Sequence, residues 1–140
     1  MAEIDINNIV IHCSATKEGL WVNAATIDKW HKRRGWRGIG YHYVILLDGT
    51  IEEGRPVLQQ GAHVKGHNKN SIGICYIGGL DENMNPKDTR TTEQISAMAG
   101  LVLTLKQKYP KADIKGHRDF PGVAKACPCF DVSKWMEEIQ

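Results

Sequence analysis

Apolar residues fall in short dense runs separated by long polar stretches, and helical spacing shows clearly in only a few places. Ile9-Val10-Ile11 ends at His12, so residues 8–12 predict a short buried strand. Asn23 can cap a helix running to about residue 34, with Ile27 and Trp30 on its inner face, His31 beside them and Gly35 as the stop. Residues 42–47, the Asp48-Gly49-Thr50 turn and residues 51–53 predict a hairpin, because Asp-Gly between β-rich runs is a strong turn signal. Residues 71–77 predict a second buried strand. Thr91 and Gln94 spell a capping box, followed by Ile95, Met98, Ala99, Val102 and Leu105 at helical spacing. On that pattern Met98 is core filler. Residues 112–115 predict a last short strand, and Asp131 caps a terminal helix carrying Trp135. Residues 55–70 and 78–90 are long loops, and loops of that length in a compact domain are usually functional. They are expected to line a substrate groove.

The pattern as a whole is mixed α/β, with no internal repeat or linker, so residues 1–140 are expected to form one domain. At this size roughly two thirds of the unfolded surface can be buried, enough for a core without disulfide staples. The net charge is only +2 and Lys32-Arg33-Arg34 is the one tight basic cluster, which fits the solvated last turn of a helix. Nucleic acid is therefore not an expected partner. No apolar stretch is long enough to span a membrane and the start shows no signal-peptide pattern. Synthesis in the cytoplasm, and a monomer without membrane partners, are expected. Cys13 and Cys75 lie in apolar strand runs, and Cys127 and Cys129 are too close in sequence to pair comfortably, so reduced thiols are expected.

Three residues stand in settings typical of metal ligands. His12 ends an apolar strand, His117 sits in Gly116-His117-Arg118-Asp119, and Cys127 lies in Lys125-Ala126-Cys127-Pro128-Cys129. A structural zinc module would pair its ligands at short spacings, whereas three N/S ligands with an open fourth position suit a catalytic zinc. Taken singly, each histidine reads more readily as a hydrogen-bonded surface or core residue, and Cys127 as an ordinary buried thiol.

The surrounding motifs narrow the choice. Ile11-His12-Cys13-Ser14-Ala15-Thr16, Gly40-Tyr41-His42-Tyr43, Asn70-Ser71-Ile72-Gly73-Ile74, Gly116-His117-Arg118-Asp119 and Lys125-Ala126-Cys127-Pro128 occur in this order over nearly the whole chain. The set closely resembles the zinc-dependent N-acetylmuramoyl-L-alanine amidases, the family of the bacteriophage T7 lysozyme and the peptidoglycan recognition proteins. The resemblance implies a central mixed β-sheet flanked by helices and one Zn2+ ion on His12, His117 and Cys127. It also implies peptidoglycan as substrate, the muramyl–L-alanine amide as the bond cut, and catalytic roles for Tyr41 and Lys125. Zinc would acidify water from a pKa of about 15.7 to near 7 and polarise the carbonyl. Lys125 would stabilise the oxyanion, and Tyr41 would orient the water or relay a proton. His63 stands where the family often has a groove-lining histidine and is the candidate for substrate contact.

Such an enzyme resembles a phage endolysin, acting on the wall after release, and is equally compatible with bacterial wall turnover. The alternatives are a module that binds peptidoglycan without cutting it, which the presence of Cys127 disfavours, and a polymerase-inhibiting interaction protein, which no motif here supports. Further residues carry expectations of their own. Strand alternation turns Cys13 away from His12's face. His42 reads as a packed histidine, and His31 and His67 as surface residues. Asp119 either supports the metal site or pairs with Arg118. Cys129 departs from the small residue the resemblance leads one to expect, and would either compete for the ion or oxidise with Cys127.

Overall fold

A computed structural model describes residues 5–123 and 126–139. Its centre is a five-stranded sheet built on the two longest apolar runs of the chain. Strand β1 (Asn8–Cys13) and strand β5 (Ser71–Tyr76) lie side by side and parallel, with Ile9, Val10, Ile11, Ile72 and Ile74 fully buried. Near-continuous apolar strands of this kind are what a sheet covered on both faces requires. Strand β3 (Tyr43–Ile45) pairs parallel with β5, and β7 (Asp113–Gly116) pairs parallel with β1. Only the edge strand β4 (Ile51–Glu53) runs antiparallel, joined to β3 through the expected turn, where Gly49 takes φ +88° and Thr50 N–H donates to Asp48 Oδ1 at 2.9 Å. The order β4-β3-β5-β1-β7 therefore gathers the C-terminal ends of four parallel strands along one edge.

Helices cover both faces of the sheet. Helix α1 (Ala24–Arg33) begins at Asn23, whose Oδ1 accepts from Thr26 N–H at 3.0 Å, and buries Ile27 against Val44, Cys75 and Ile77. Helix α2 (Thr92–Lys108) and helix α3 (Val132–Ile139) pack the other face, setting Met98, Val102, Leu105, Trp135 and Met136 against Ile9, Ile11, Ile72 and Ile74. The loop over residues 55–70 covers what α1 leaves open, placing Val64 with Val10 and Phe120. This is the mixed sheet flanked by helices that the sequence motifs imply. Among the described residues no helix is long and apolar enough to cross a membrane.

Three local expectations are corrected. Ile95 is 38% exposed, and Gln94 takes the inward position, fully buried. Its Nε2 donates to the carbonyls of Ile45 and Ile77, where β3 and β5 end; Ile45 also accepts from Ile77 N–H, so the Ile77 carbonyl is the acceptor that depends on this amide. The loop over residues 78–90 is not wholly irregular, because Gly79–Leu80 (β6) pairs with Thr16–Lys17 (β2). Two-residue strands are too short to display a period. His31 is also buried rather than on the surface, at 7% exposure.

Candidate active site

The site forms where β1 and β7 end. Ile11 is paired with Gly116, and the next residue on each chain is His12 and His117. The parallel register thus sets the two imidazoles side by side, with ring centroids 4.6 Å apart. His12 points away from the face occupied by Ile11 and Cys13, as alternation along a strand requires, and is 1% exposed. His117 opens a single 3-10 turn, His117–Asp119. Asp119 Oδ2 accepts from Gly116 N–H at 2.8 Å, so this carboxylate oxygen closes its own turn.

Cys127 reaches the same point from a loop tied down at several places. Arg118 N–H donates to the Cys127 carbonyl at 2.9 Å, and the Tyr76 hydroxyl donates to the Pro128 carbonyl at 2.6 Å. Cys13 N–H donates to Cys127 Sγ at 3.1 Å. One ligand atom from each of His12, His117 and Cys127 lies within 4.8 Å of the other two. A tetrahedral ion with bonds of about 2.0–2.3 Å spaces its ligands about 3.3–3.8 Å apart, so small side-chain shifts close this cluster on a metal. Two neutral imidazoles and one thiolate suit zinc, and burial, then His63 and His117, hold the His12 pKa well below the usual histidine value. His12 is therefore the neutral, ligating form at neutral pH.

Tyr41 stands beside this cluster, its ring centroid 5.2 Å from that of His12. Burial, and then the sulfurs of Cys75, Cys127 and Cys13, push its pKa well up, so the phenol keeps its proton and is a donor. Lys125, the other residue expected in the chemistry, lies outside the described residues. His63 sits beneath the cluster instead of along an open groove. It is 9% exposed, and its Nδ1 is 2.8 Å from His12 Nε2. The inward position has a steric cause: a Cβ at Gly61 or Gly73 would come within 2.7 Å of the His63 ring. Burial, followed by His42 and His117, lowers its pKa to about 3.

The remaining histidines and thiols are accounted for. His42 is packed as expected, its Nδ1 accepting from Gly73 N–H at 3.0 Å and its Nε2 bonded to the Gln59 carbonyl at 2.9 Å. His31 supports the neighbourhood of Tyr41: its Nδ1 accepts from Gly40 N–H at 2.9 Å, and its ring lies 5.6 Å from that of Tyr41. The signal was present in the chain, since His31 follows Ile27 by four residues on the buried helical face. His67 is exposed. Cys129 adopts φ +71° and turns its sulfur to Cys13 Sγ, 3.9 Å away, and to the Gly79 carbonyl. It is not one of the clustered ligand atoms.

Comparison with known proteins agrees with this geometry. The family model described as N-acetylmuramoyl-L-alanine amidase matches residues 2–130. The chain is 43% identical over 133 residues to the endolysin of Enterobacteria phage K11, covering 95% of this chain and 87% of that protein. It is 42% identical over 130 residues to the endolysin of Escherichia phage T7, covering 93% and 85%. The solved structure of the N-acetylmuramoyl-L-alanine amidase LysC from Clostridium intestinale superposes with a TM-score of 0.78 at 33% identity, covering 97% of this chain and 83% of that one. With a family match over most of its length and endolysin relatives above 40% identity, this chain belongs to the N-acetylmuramoyl-L-alanine amidase family and is an amidase of peptidoglycan.

Proposed function

We propose that the chain hydrolyses the amide joining the lactyl group of N-acetylmuramic acid to the L-alanine of the stem peptide, with one zinc ion held by His12, His117 and Cys127. The observation that carries this reading is the convergence of those three ligand atoms at the ends of β1 and β7. Zinc, when bound, supplies Lewis acidity, bringing the pKa of water near 7 and polarising the amide carbonyl. The side chains supply the rest. His12 and His117 bind as neutral imidazoles and Cys127 as a thiolate, which leaves the loaded site with a net charge of +1.

Tyr41, protonated and beside His12, donates a hydrogen bond that orients the attacking water or passes a proton. The Lys125 ammonium, assigned by its place in the Lys-Ala-Cys-Pro motif two residues before Cys127, would stabilise the negative charge that develops on the carbonyl oxygen. Water oxygen adds to the lactyl carbonyl carbon, the carbon–nitrogen bond breaks, and the departing nitrogen takes a proton from Tyr41 or Lys125, which is restored by a proton released from the attacking water. The products are a lactyl carboxylate on the glycan and a peptide with a free L-alanine amine. The phage endolysins among the relatives support a role in wall lysis.

Mass spectrometry of soluble products from purified peptidoglycan, digested with and without a zinc chelator, tests this reading. Free stem peptides beginning with L-alanine, lost on chelation and restored by zinc, are expected. Binding without release would mean a recognition module, and new reducing sugar ends would mean a different bond.

A further inference from the structure

Two buried imidazoles in direct contact constrain each other's protons. His12 Nε2 and His63 Nδ1 are 2.8 Å apart, with the rings edge to face at 85°. Such a contact between neutral rings needs one N–H and one lone pair. With Nε2 occupied by His63, Nδ1 is the atom left for His12 to present to a metal. A neutral imidazole that ligates through Nδ1 carries its proton on Nε2. His63 must then accept at Nδ1 and hold its own proton on Nε2. In the opposite arrangement His63 Nδ1–H would donate, and the His12 proton would sit on Nδ1, blocking ligation.

We propose that His63 is a positioning residue for the metal centre, accepting the His12 Nε2–H and thereby fixing the tautomer that offers the His12 Nδ1 lone pair to zinc. This rests on the zinc reading given above and replaces substrate contact as the role of His63. Ligating histidines characteristically donate their second N–H to an acceptor behind them, most often a carboxylate, carbonyl or water. Here the acceptor is a neutral imidazole, so the site keeps the positive charge that a carboxylate would cancel.

The surroundings hold His63 to this task. Its backbone N–H and that of Val64 both donate to Asn68 Oδ1 at 2.8 Å, and Gly61 and Gly73 leave a slot for the ring. His42 stacks edge to face at 5.8 Å, but both of its nitrogens are bonded to backbone, so it cannot exchange a proton with His63. His63 Nε2 is buried and has no hydrogen-bond partner among the described residues.

Zinc affinity, measured by competition with a chromophoric chelator, tests the proposal without reference to turnover. His63→Phe keeps the shape and removes the acceptor, and should weaken zinc binding 10–100-fold, on the order seen for such supporting contacts. His63→Asn places an amide oxygen near the position of Nδ1 and should recover most of that loss. Thermal unfolding of the metal-free variants separates folding from binding. Long-range proton–nitrogen NMR of the unmodified zinc-loaded protein reads the tautomers directly and serves if a variant fails to fold. A proton on Nε2 of both His12 and His63 is expected. Wild-type affinity in His63→Phe, or a proton on His63 Nδ1, overturns the proposal while leaving zinc in place. Unmodified protein that binds no zinc overturns the zinc reading itself.

Discussion

Cys127 and Cys129 are two residues apart, chemically identical, and placed in different environments. Cys127 Sγ receives the Cys13 N–H and joins the histidine pair. Cys129 Sγ faces Cys13 and Gly79, where burial, and then the Cys13 sulfur, pushes its pKa up to about 12 and keeps it a thiol. Cys127→Ala is therefore expected to lose zinc and turnover together, whereas Cys129→Ser should bind zinc within about threefold of the original, since it removes no ligand. Metal content and chelator competition on the two variants check this, and equal zinc loss in both would contradict it. Lys125→Ala is expected to keep zinc and lose about 10²–10³ in kcat, the usual cost of removing one oxyanion donor. Steady-state kinetics on the zinc-loaded variant measures it, and unchanged kcat would remove the lysine from the chemistry.

At the scale of elements, the sheet edge is assembled by Gln94 as much as by the strands. One amide closes the ends of β3 and β5 through the Ile45 and Ile77 carbonyls, and its Oε1 accepts from Thr91 N–H in the capping box. Gln94→Leu keeps the volume and orphans the Ile77 carbonyl, while Ile45 keeps the Ile77 N–H, so a loss of about 1–3 kcal/mol is expected for one buried acceptor. Urea unfolding reads this, and a loss below about 0.5 kcal/mol would contradict it. The elements carried by dense apolar runs or by caps were legible in the chain: β1, β5, the Asn23 and Thr91 helix starts, and the Asp-Gly hairpin. What escaped depends on tertiary partners. Gln94 turns inward because the Ile77 carbonyl needs a donor, and β2 and β6 pair only because each stands at the end of a longer strand. The metal cluster was legible as three settings and a family pattern. The contact of His63 with His12 was not, because it arises from space left by Gly61 and Gly73.

For the molecule as a whole, the buried histidines tie stability to pH. His12, His31, His42 and His63 are all at most 9% exposed, and burial is the first cause lowering each of their pKa values below 6.5. The unfolded chain therefore binds more protons than the folded one once the pH drops to about 6.5. Stability is complete above that value and falls with decreasing pH toward the folded pKa values, about 3 for His63. Each such histidine contributes a slope of up to about 1.4 kcal/mol per pH unit in that window. Urea midpoints of the chelated protein should fall between pH 7.5 and pH 5.5, and a flat profile would contradict this. Zinc held as proposed would raise the midpoint at each pH, by an amount that grows with the logarithm of free zinc over its Kd.

The proposed centre is one zinc ion held by two imidazoles and the Cys127 sulfur at the ends of β1 and β7. Zinc-edge X-ray absorption of the purified active protein tests it most directly. The expected spectrum contains nitrogen or oxygen neighbours at about 2.0–2.1 Å and a single sulfur at about 2.3 Å. Active, zinc-loaded protein with no sulfur in the metal's coordination shell would contradict it.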